Sequence, residues 1–298
     1  MSSVRAGALQ AQLKTAVGLE PKHDLREKST LKKLLGRQNP AGEIGFVYHY
    51  KHWKSLFRNW PDVALVGLGI KGSAVLETRD KGVKFFVGSR DQLSGTAGIA
   101  DETFGQKQYR YLMDNRKGMS VVLDIGAYIG DSALWFATFS GIRKVYAYEA
   151  HPYAYGMAKT NIELNGVNGK IELHNMAVGN EGLIRLNDGK SSPSDRLQAS
   201  ADGKLVRIVT LDSILAGISS NRIILKLDCE GSEFEILRKG MDLSKVYLAQ
   251  LEFHNAVPGK HAEIVGALEN SGFNVDVEHR TDTVTGYRDF GFIYAKRE

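Results

Sequence analysis

The chain has 298 residues, of which 43% are hydrophobic and 24% are charged, and this is the composition of an ordinary globular protein. Its length suits one large domain, or one domain with a substantial addition, and allows a sizeable core. No apolar run is long enough to span a bilayer, and the N-terminus lacks the charged-then-apolar pattern of a signal peptide. We therefore expect a cytoplasmic protein with no membrane partner.

The net charge of +5 permits an acidic partner but does not require one. The basic residues are spread out, apart from modest clusters at 22–33 and 51–58, which we interpret as solvated helix faces. Because no aromatic-basic motif accompanies them, we expect no nucleic-acid partner. The single cysteine, Cys229, excludes an intrachain disulfide and a cysteine-based zinc site.

The first part of the chain predicts an accessory region at 1–115, helical and with one hairpin. Residues 1–40 are polar, with only a weak helical spacing. Trp53, Phe57 and Trp60 are spaced to share a helix face, most simply a packing face, although a dimer face or a lid stays open. Pro61 is expected to end that helix. The stretches 73–79 and 82–87 predict a β-hairpin, and 103–112 predicts a short helix.

The stretch 121–134, with the sequence VVLDIGAYIGDSAL, predicts a buried strand, a glycine turn and the start of a helix. Gly126 and Gly130 allow a tight turn and a close approach to a ligand. Asp131 and Ser132 supply candidate N-caps for the helix. The spacing D-x-G-x-x-x-G differs from the dinucleotide fingerprint G-x-G-x-x-G, so it disfavours an NAD-dependent oxidoreductase.

A second strand, 144–149, ends in Glu149, whose carboxylate can accept hydrogen bonds from both ribose hydroxyls of a nucleoside. The glycine loop followed by a strand-end acid resembles the first two motifs of class I S-adenosylmethionine-dependent methyltransferases. That resemblance implies S-adenosylmethionine as the cofactor. The remaining interpretation of these residues is an α/β domain that binds another nucleotide or none.

From residue 121 onward, strands alternate with helices, which predicts a doubly wound, mostly parallel α/β sheet of seven strands at 116–298. We expect the last two strands to pair as an antiparallel edge. The third strand, 170–175, ends at Asn175, either an adenine contact or a turn-capping residue. The long polar stretch 187–203 is either a cover over the substrate or disordered.

Ligands of an open parallel sheet bind outside the carboxyl ends of its strands, and two strands here end in paired ionisable residues. Lys226 shares a strand face with Asp228, and Glu252 shares one with His254. His254 has a suitable ordinary pKa, near 6.5, for a general base, and Asp228 could orient it or act as the base itself. Lys226 also fits a plain ion pair within the sheet edge.

A divalent cation is the less favoured version of the same site. Oxygen and imidazole ligands from Asp228, Glu252 and His254 would hold it and lower the pKa of a hydroxyl. We expect no metal, because the sequence does not fix the distances between these three groups.

A narrower resemblance lies in five motifs: DIGAYIGD at 124–131, NIELN at 161–165, TLD at 210–212, LKLDCEGSE at 225–233 and LEFH at 251–254. Together they resemble the FkbM family of methyltransferases over roughly 105–295. The resemblance implies O-methylation of a hydroxyl on a sugar or a secondary-metabolite-like small molecule. Tyr128 stands where the family usually has asparagine, which changes one contact on the cofactor side.

The strand-end rule and the resemblance together give two sets of candidate residues. The cofactor-binding candidates are Asp124, Gly126, Ala127, Tyr128, Gly130, Asp131, Glu149, Ala150, Asn175, Ala177 and Asp228. The catalytic candidates are His254, Asp228, Glu252 and Lys226. An alternative is a non-catalytic member of the fold that keeps the nucleoside pocket and serves as a binding or scaffold subunit.

Overall fold

The computed structural model describes residues 53–189, 199–237, 241–255, 260–280 and 289–298. The weak helical pattern at 1–40, the basic cluster at 22–33 and the centre of the polar stretch 187–203 lie outside these residues. The strands of the described part are β1 Ala74–Glu77, β2 Lys84–Val87, β3 Ser120–Ile125, β4 Ile142–Tyr148, β5 Ile171–His174, β6 Met176–Val178, β7 Gly182–Leu186, β8 Lys204–Val209, β9 Ile223–Leu227, β10 Val246–Asn255, β11 Asn274–Arg280 and β12 Asp289–Lys296. Its α-helices are α1 Trp60–Gly67, α2 Arg90–Ala100, α3 Arg110–Asp114, α4 Asp131–Ala137, α5 Pro152–Leu164, α6 Leu211–Gly217, α7 Glu233–Ile236 and α8 His261–Asn270.

The central sheet has seven strands in the order β11-β12-β10-β9-β3-β4-β5. The five strands from β10 to β5 run parallel, whereas β12 is antiparallel to both β10 and β11. Every residue of β3 and β9 is buried, as expected for parallel strands that are covered on both faces. This confirms the predicted doubly wound sheet and its antiparallel edge.

Alternate residues of β3 face two different hydrophobic cores. Val122 packs with side chains of α4 and α5 on one face, and Leu123 packs with α6, α7 and α8 on the other. Residues of the accessory region, such as Phe85 of β2, belong to the first of these cores. The boundary that we place near residue 115 stays a prediction.

The predicted hairpin is confirmed, since β1 and β2 pair antiparallel. The helix predicted over Trp53 to Trp60 is wrong in its bounds: residues 53–56 are helical, Phe57 forms an isolated bridge with Thr78, and α1 begins at Trp60 with Pro61 in its first turn. Proline is favoured there, since its missing N–H would have no acceptor inside the helix. Trp53 and Phe57 are buried in the core, which confirms the packing interpretation of these two aromatic residues.

The single helix predicted over 103–112 is also wrong. The helix α2, which we did not predict, continues into a π-helical turn, Asp101–Gly105, and α3 follows after a short connection. The buried face of α2 consists of Leu93 and three small residues, so its sequence pattern is weak. A π-helical turn is rare and is frequently found at functional sites.

A separate sheet has the order β6-β8-β7 and lies after the third strand of the central sheet in the chain. The polar stretch 187–203 connects β7 to β8, which pair antiparallel. In the described part of the chain, every helix is too short or too polar to cross a membrane.

Candidate active site

The carboxyl ends of β3, β4, β9 and β10 meet at one edge of the sheet, and the loop between β3 and α4 lies there. Gly126 has φ +80°, and a Cβ added to it would overlap the carbonyl oxygen of Asp228. Gly130 has φ +83° and packs on Ala158. The loop therefore needs glycine at both positions, for its backbone conformation and at Gly126 also for space.

Glu149 follows β4 and is fixed against this loop. Its Oε2 accepts the N–H of Tyr128 at 2.7 Å, and its Oε1 accepts the N–H of His151 at 2.7 Å. Glu149 is only 8% exposed, and burial raises its pKa to about 7, against the two hydrogen bonds, which lower it. The carboxyl is thus held at the place where the sequence predicts a contact with ribose hydroxyls.

Asn175 has the capping role that the sequence left open. Its Nδ2 donates to the carbonyls of Glu149 at 2.9 Å and Ala150 at 3.0 Å. The amide thereby holds the end of β4 in place from the next strand. Ala177 is buried in β6. The contact of Asn175 with adenine stays a prediction.

Lys226 and Asp124 form an ion pair inside the sheet, with 3.3 Å between Nζ and Oδ1. Lys226 is 2% exposed and Asp124 is fully buried. The ammonium also donates to the carbonyl of Gly126 at 2.5 Å, and the hydroxyl of Ser132 donates to Oδ2 of Asp124 at 2.6 Å. This matches the plain ion-pair interpretation of Lys226. The ammonium also supports the loop through its hydrogen bond to Gly126.

Asp131 begins α4, but the N-cap of that helix is Gly130, so the expected capping by Asp131 and Ser132 is wrong. Asp131 instead accepts the hydroxyl of Thr103 at 2.5 Å, and burial raises its pKa to about 7. Asp131 and Ser132 are already the first residues of the helix, so the capping position falls on Gly130. The accessory region thus contacts a predicted cofactor-side residue directly.

His254 lies among three carboxylates at the ends of β9 and β10. Its Nε2 is 3.5 Å from Glu252 and 3.7 Å from Glu230, and its Nδ1 is 4.0 Å from Glu233. Burial lowers the pKa of the imidazole, but the surrounding carboxylates outweigh burial and raise it to about 11. At neutral pH the ring is therefore charged, which differs from the neutral base that we expected.

Glu252 is held by the accessory region as well as by His254. Its Oε2 accepts the Nε2–H of Gln108 at 2.8 Å, and the carbonyl of Gln108 accepts the side chain of Gln250 at 3.0 Å. Burial, together with the charge of Asp228, raises the pKa of Glu252 to about 8. The carboxyl group is fixed on both sides, by Gln108 and by His254.

Glu233 holds the turn that presents Asp228 and Glu230. Its buried Oε1 accepts the N–H groups of Cys229 at 2.8 Å and Gly231 at 3.1 Å. This turn has left-handed backbone at Glu230, with φ +50°, and at Gly231. Sequence reasoning gave Glu233 no role, although it is the last residue of the motif LKLDCEGSE.

The sequence also gave no role to the residues that the accessory region contributes here. They are Glu102, Thr103, Gln108 and Tyr109. Burial and the charge of Asp228 raise the pKa of Glu102 to about 7. Such contacts join residues that are far apart in the chain, so no local sequence pattern predicts them.

Asp228, Glu230 and His254 each offer one donor atom within 4.8 Å of the others, so their types and spacing could hold a divalent cation. Glu230 takes the place that we gave to Glu252 in this set. Carboxylates lie on both sides of the ring and favour the protonated imidazole. A metal ion would therefore have to displace a proton from a ring nitrogen. The site is rich in carboxyl groups, which can accept a proton or hold a cation.

A doubly wound sheet with a glycine loop after β3 and a fixed acid after β4 defines a Rossmann-like methyltransferase domain. Residues 124–275 match the profile of the methyltransferase FkbM domain. The match spans 152 of the 298 residues, and the chain belongs to this family. The resemblance drawn from the five sequence motifs is thereby confirmed.

Solved structures give more distant similarities. TrmK of M. capricolum, in complex with S-adenosyl-homocysteine, is 12% identical over 64% of this chain and 68% of that chain, with a TM-score of 0.41. Human methyltransferase 10 domain containing protein is 12% identical over 79% and 94%, with a TM-score of 0.44. An rRNA methylase from Streptococcus thermophilus is 12% identical over 64% and 95%, with a TM-score of 0.40.

Similarities at this level do not identify the methyl acceptor of this protein. They also do not support the expectation that it has no nucleic-acid partner. A comparison with curated protein sequences gives no match.

Proposed function

We propose that this protein transfers the methyl group of S-adenosylmethionine to a hydroxyl of a small molecule, such as a sugar or a secondary metabolite, in the cytoplasm. The observation that carries the cofactor assignment is the Glu149 carboxylate, which the N–H of Tyr128 holds against the glycine loop at 2.7 Å. Membership of the methyltransferase family gives the reaction class.

The residues present fit this cofactor. Gly126 lets the loop turn with φ +80° and lie directly against the carbonyl oxygen of Asp228, where a Cβ would not fit. Glu149 offers a carboxyl group beside that loop that can accept hydrogen bonds from a diol. We assign Gly126, Gly130 and Glu149 to binding, with Ala127, Tyr128 and Ala150 as neighbours that shape the same surface.

When bound, S-adenosylmethionine supplies an electrophilic methyl group on a sulfonium. The protein must then align the acceptor oxygen and accept its proton as the new C–O bond forms and the C–S bond breaks. His254 does not suit the second task, because its neighbours keep the imidazole protonated. A carboxylate is therefore the base in this proposal.

Asp228 is the best placed carboxylate for that role. Its side chain is 24% exposed, compared with 18% for Glu230 and 13% for Glu252. Glu252 already accepts Gln108 and faces His254, so it orients the cluster. In this account Asp228 takes the hydroxyl proton and His254 balances the negative charge around it.

The test is a panel of acceptors assayed for methyl transfer from labelled S-adenosylmethionine. The panel contains sugars, hydroxylated metabolites and total RNA, with wild-type protein and Asp228→Asn side by side. The expected result is transfer to a small hydroxyl compound that Asp228→Asn lowers by at least about 100-fold, as for loss of a general base. Methylation of RNA would show that the acceptor is a nucleic acid and not a small molecule. Binding of S-adenosyl-homocysteine without transfer to any acceptor would favour the non-catalytic alternative.

A further inference from the structure

The outer edge of β2 is covered by two asparagine side chains, Asn161 of α5 and Asn165 directly after this helix. Oδ1 of Asn165 accepts the N–H of Lys84 at 2.9 Å, and its Nδ2 donates back to the carbonyl of Lys84 at 2.7 Å. Oδ1 of Asn161 accepts the N–H of Phe86 at 2.8 Å. The two side chains thus form the main-chain hydrogen bonds that a neighbouring strand would otherwise form with β2.

The spacing of the two asparagines fits that task. Residues two apart in a strand are about 6.6 Å apart, and residues four apart in a helix rise by about 6 Å on one face. Asn161 therefore meets Phe86, and Asn165 meets Lys84, in register. This gives a physical role to the motif NIELN at 161–165.

Asn161 has a second contact of a different kind. Its Nδ2 donates to the carbonyl of Ile129 at 2.9 Å, and Asn161 is fully buried. Ile129 lies in the loop between β3 and α4, directly before Gly130. The Nδ2 of Asn165 instead donates to Lys84 and to the carbonyl of Asn161, away from the loop.

Hydrogen bonds to the end of β4 hold the first half of the loop. The carbonyl of Tyr148 accepts the N–H of Ala127 at 3.1 Å, and Glu149 accepts that of Tyr128. The second half turns through Gly130, which packs on α5 at Ala158. The buried amide of Asn161 therefore joins the accessory hairpin to the second half of the loop.

We propose that Asn161 is a positioning residue, which uses the β1–β2 hairpin as a fixed support to set the conformation of the loop at Ile129 and Gly130. The accessory region would thereby raise the affinity for the cofactor without touching it. This inference rests on the proposed function, because it assigns the loop to cofactor binding.

The experiment compares Asn161→Ala with the matched control Asn165→Ala. Both variants remove contacts with β2, but only the first removes the donor to Ile129. Two readouts are used: hydrogen exchange of the amides at 128–134, in the loop and the first turn of α4, in the ligand-free protein, and the affinity for S-adenosyl-homocysteine by calorimetry. If Asn161→Ala does not fold, Asn161→Ser leaves a smaller gap and takes its place.

For Asn161→Ala we expect loop exchange to quicken and the affinity to fall, each by about tenfold, as a buried carbonyl loses its donor. For Asn165→Ala we expect loop exchange and affinity to stay within about twofold of wild type, in line with its lack of a loop contact. Equal effects of the two variants, or no effect of either, would overturn the positioning role. If wild-type protein fails to bind S-adenosyl-homocysteine, the proposed function fails, and the exchange data still decide the positioning role.

Discussion

The carboxylate of Glu149 accepts the main-chain N–H of Tyr128 at 2.7 Å, so the end of β4 and the glycine loop after β3 are held together. Tyr128 has left-handed backbone, with φ +43°, which is uncommon for a bulky residue. The hydrogen bond to a carboxylate compensates for this conformation. The loop is therefore preorganised by Glu149, the same carboxyl group that we assign to cofactor binding.

Gly126→Ala tests whether the loop needs its close approach to β9. We expect the free energy of unfolding to fall by more than about 2 kcal/mol, because the new Cβ meets Asp228 and the backbone is left-handed. Gly156→Ala, within the exposed face of α5 and with open space around it, is the matched control. Its expected effect has the opposite sign, about 0.5–1 kcal/mol of stabilisation. Urea unfolding of both variants checks the pair, and equal effects would contradict the account.

Lys226→Met tests the buried ion pair. Asp124 would remain fully buried without its cation, which costs about 3–5 kcal/mol in a site of this kind. The double variant Lys226→Met with Asp124→Asn removes the stranded charge, so it should be more stable than Lys226→Met alone. Denaturant unfolding of the wild type, the single variants and the double variant gives the coupling. Additive effects would mean that the two groups do not act as a pair.

The charge on His254 makes stability depend on pH. Its carboxylate neighbours raise its pKa in the folded protein from 6.5 to about 11. The resulting stabilisation is complete below pH 6.5 and is lost as the pH rises to about 11.

We therefore expect the free energy of unfolding of the wild type to fall between pH 8 and 10, and His254→Gln to flatten that fall. Urea titrations at several pH values measure it. The same decline in both proteins would show that the imidazole is not held protonated.

Removal of divalent cations should leave the protein unchanged. Both nitrogens of His254 face carboxylates, so the ring is occupied by its own ion pairs. We expect the melting temperature and the affinity for S-adenosyl-homocysteine to be the same with Mg²⁺, with Mn²⁺ and with a chelator. A saturable rise in melting temperature with Mn²⁺ that Glu230→Gln abolishes would instead establish a metal site at Asp228, Glu230 and His254.

Local patterns were enough to predict the sheet and the loop. The continuous apolar run before Gly126 and the acid at Glu149 are both read within a few residues, and both lie where expected. The weak pattern of α2 and the position of Pro61 were misjudged, because small residues and an N-terminal proline give ambiguous signals.

The environment of the strand-end residues could not be predicted in the same way. Gln108 and Glu252 are 144 positions apart, and their hydrogen bond depends on the packing of the accessory region. The ordinary pKa of histidine suggested a base, but the pKa of His254 is raised by Glu233 as well as by Glu252, and only the fold reveals that Glu233 lies nearby. Electrostatics of this kind is a property of tertiary structure.

In our proposal, the loop and Glu149 bind S-adenosylmethionine. Calorimetric titration with S-adenosyl-homocysteine tests it most directly, using wild-type protein, Glu149→Ala and the control Glu163→Ala, which removes an exposed acid from α5. We predict saturable binding by wild type and the control, and a loss of at least about 30-fold in Glu149→Ala, the size of a lost charge-assisted contact. Equal affinity of all three proteins, or no binding by wild type, would contradict it.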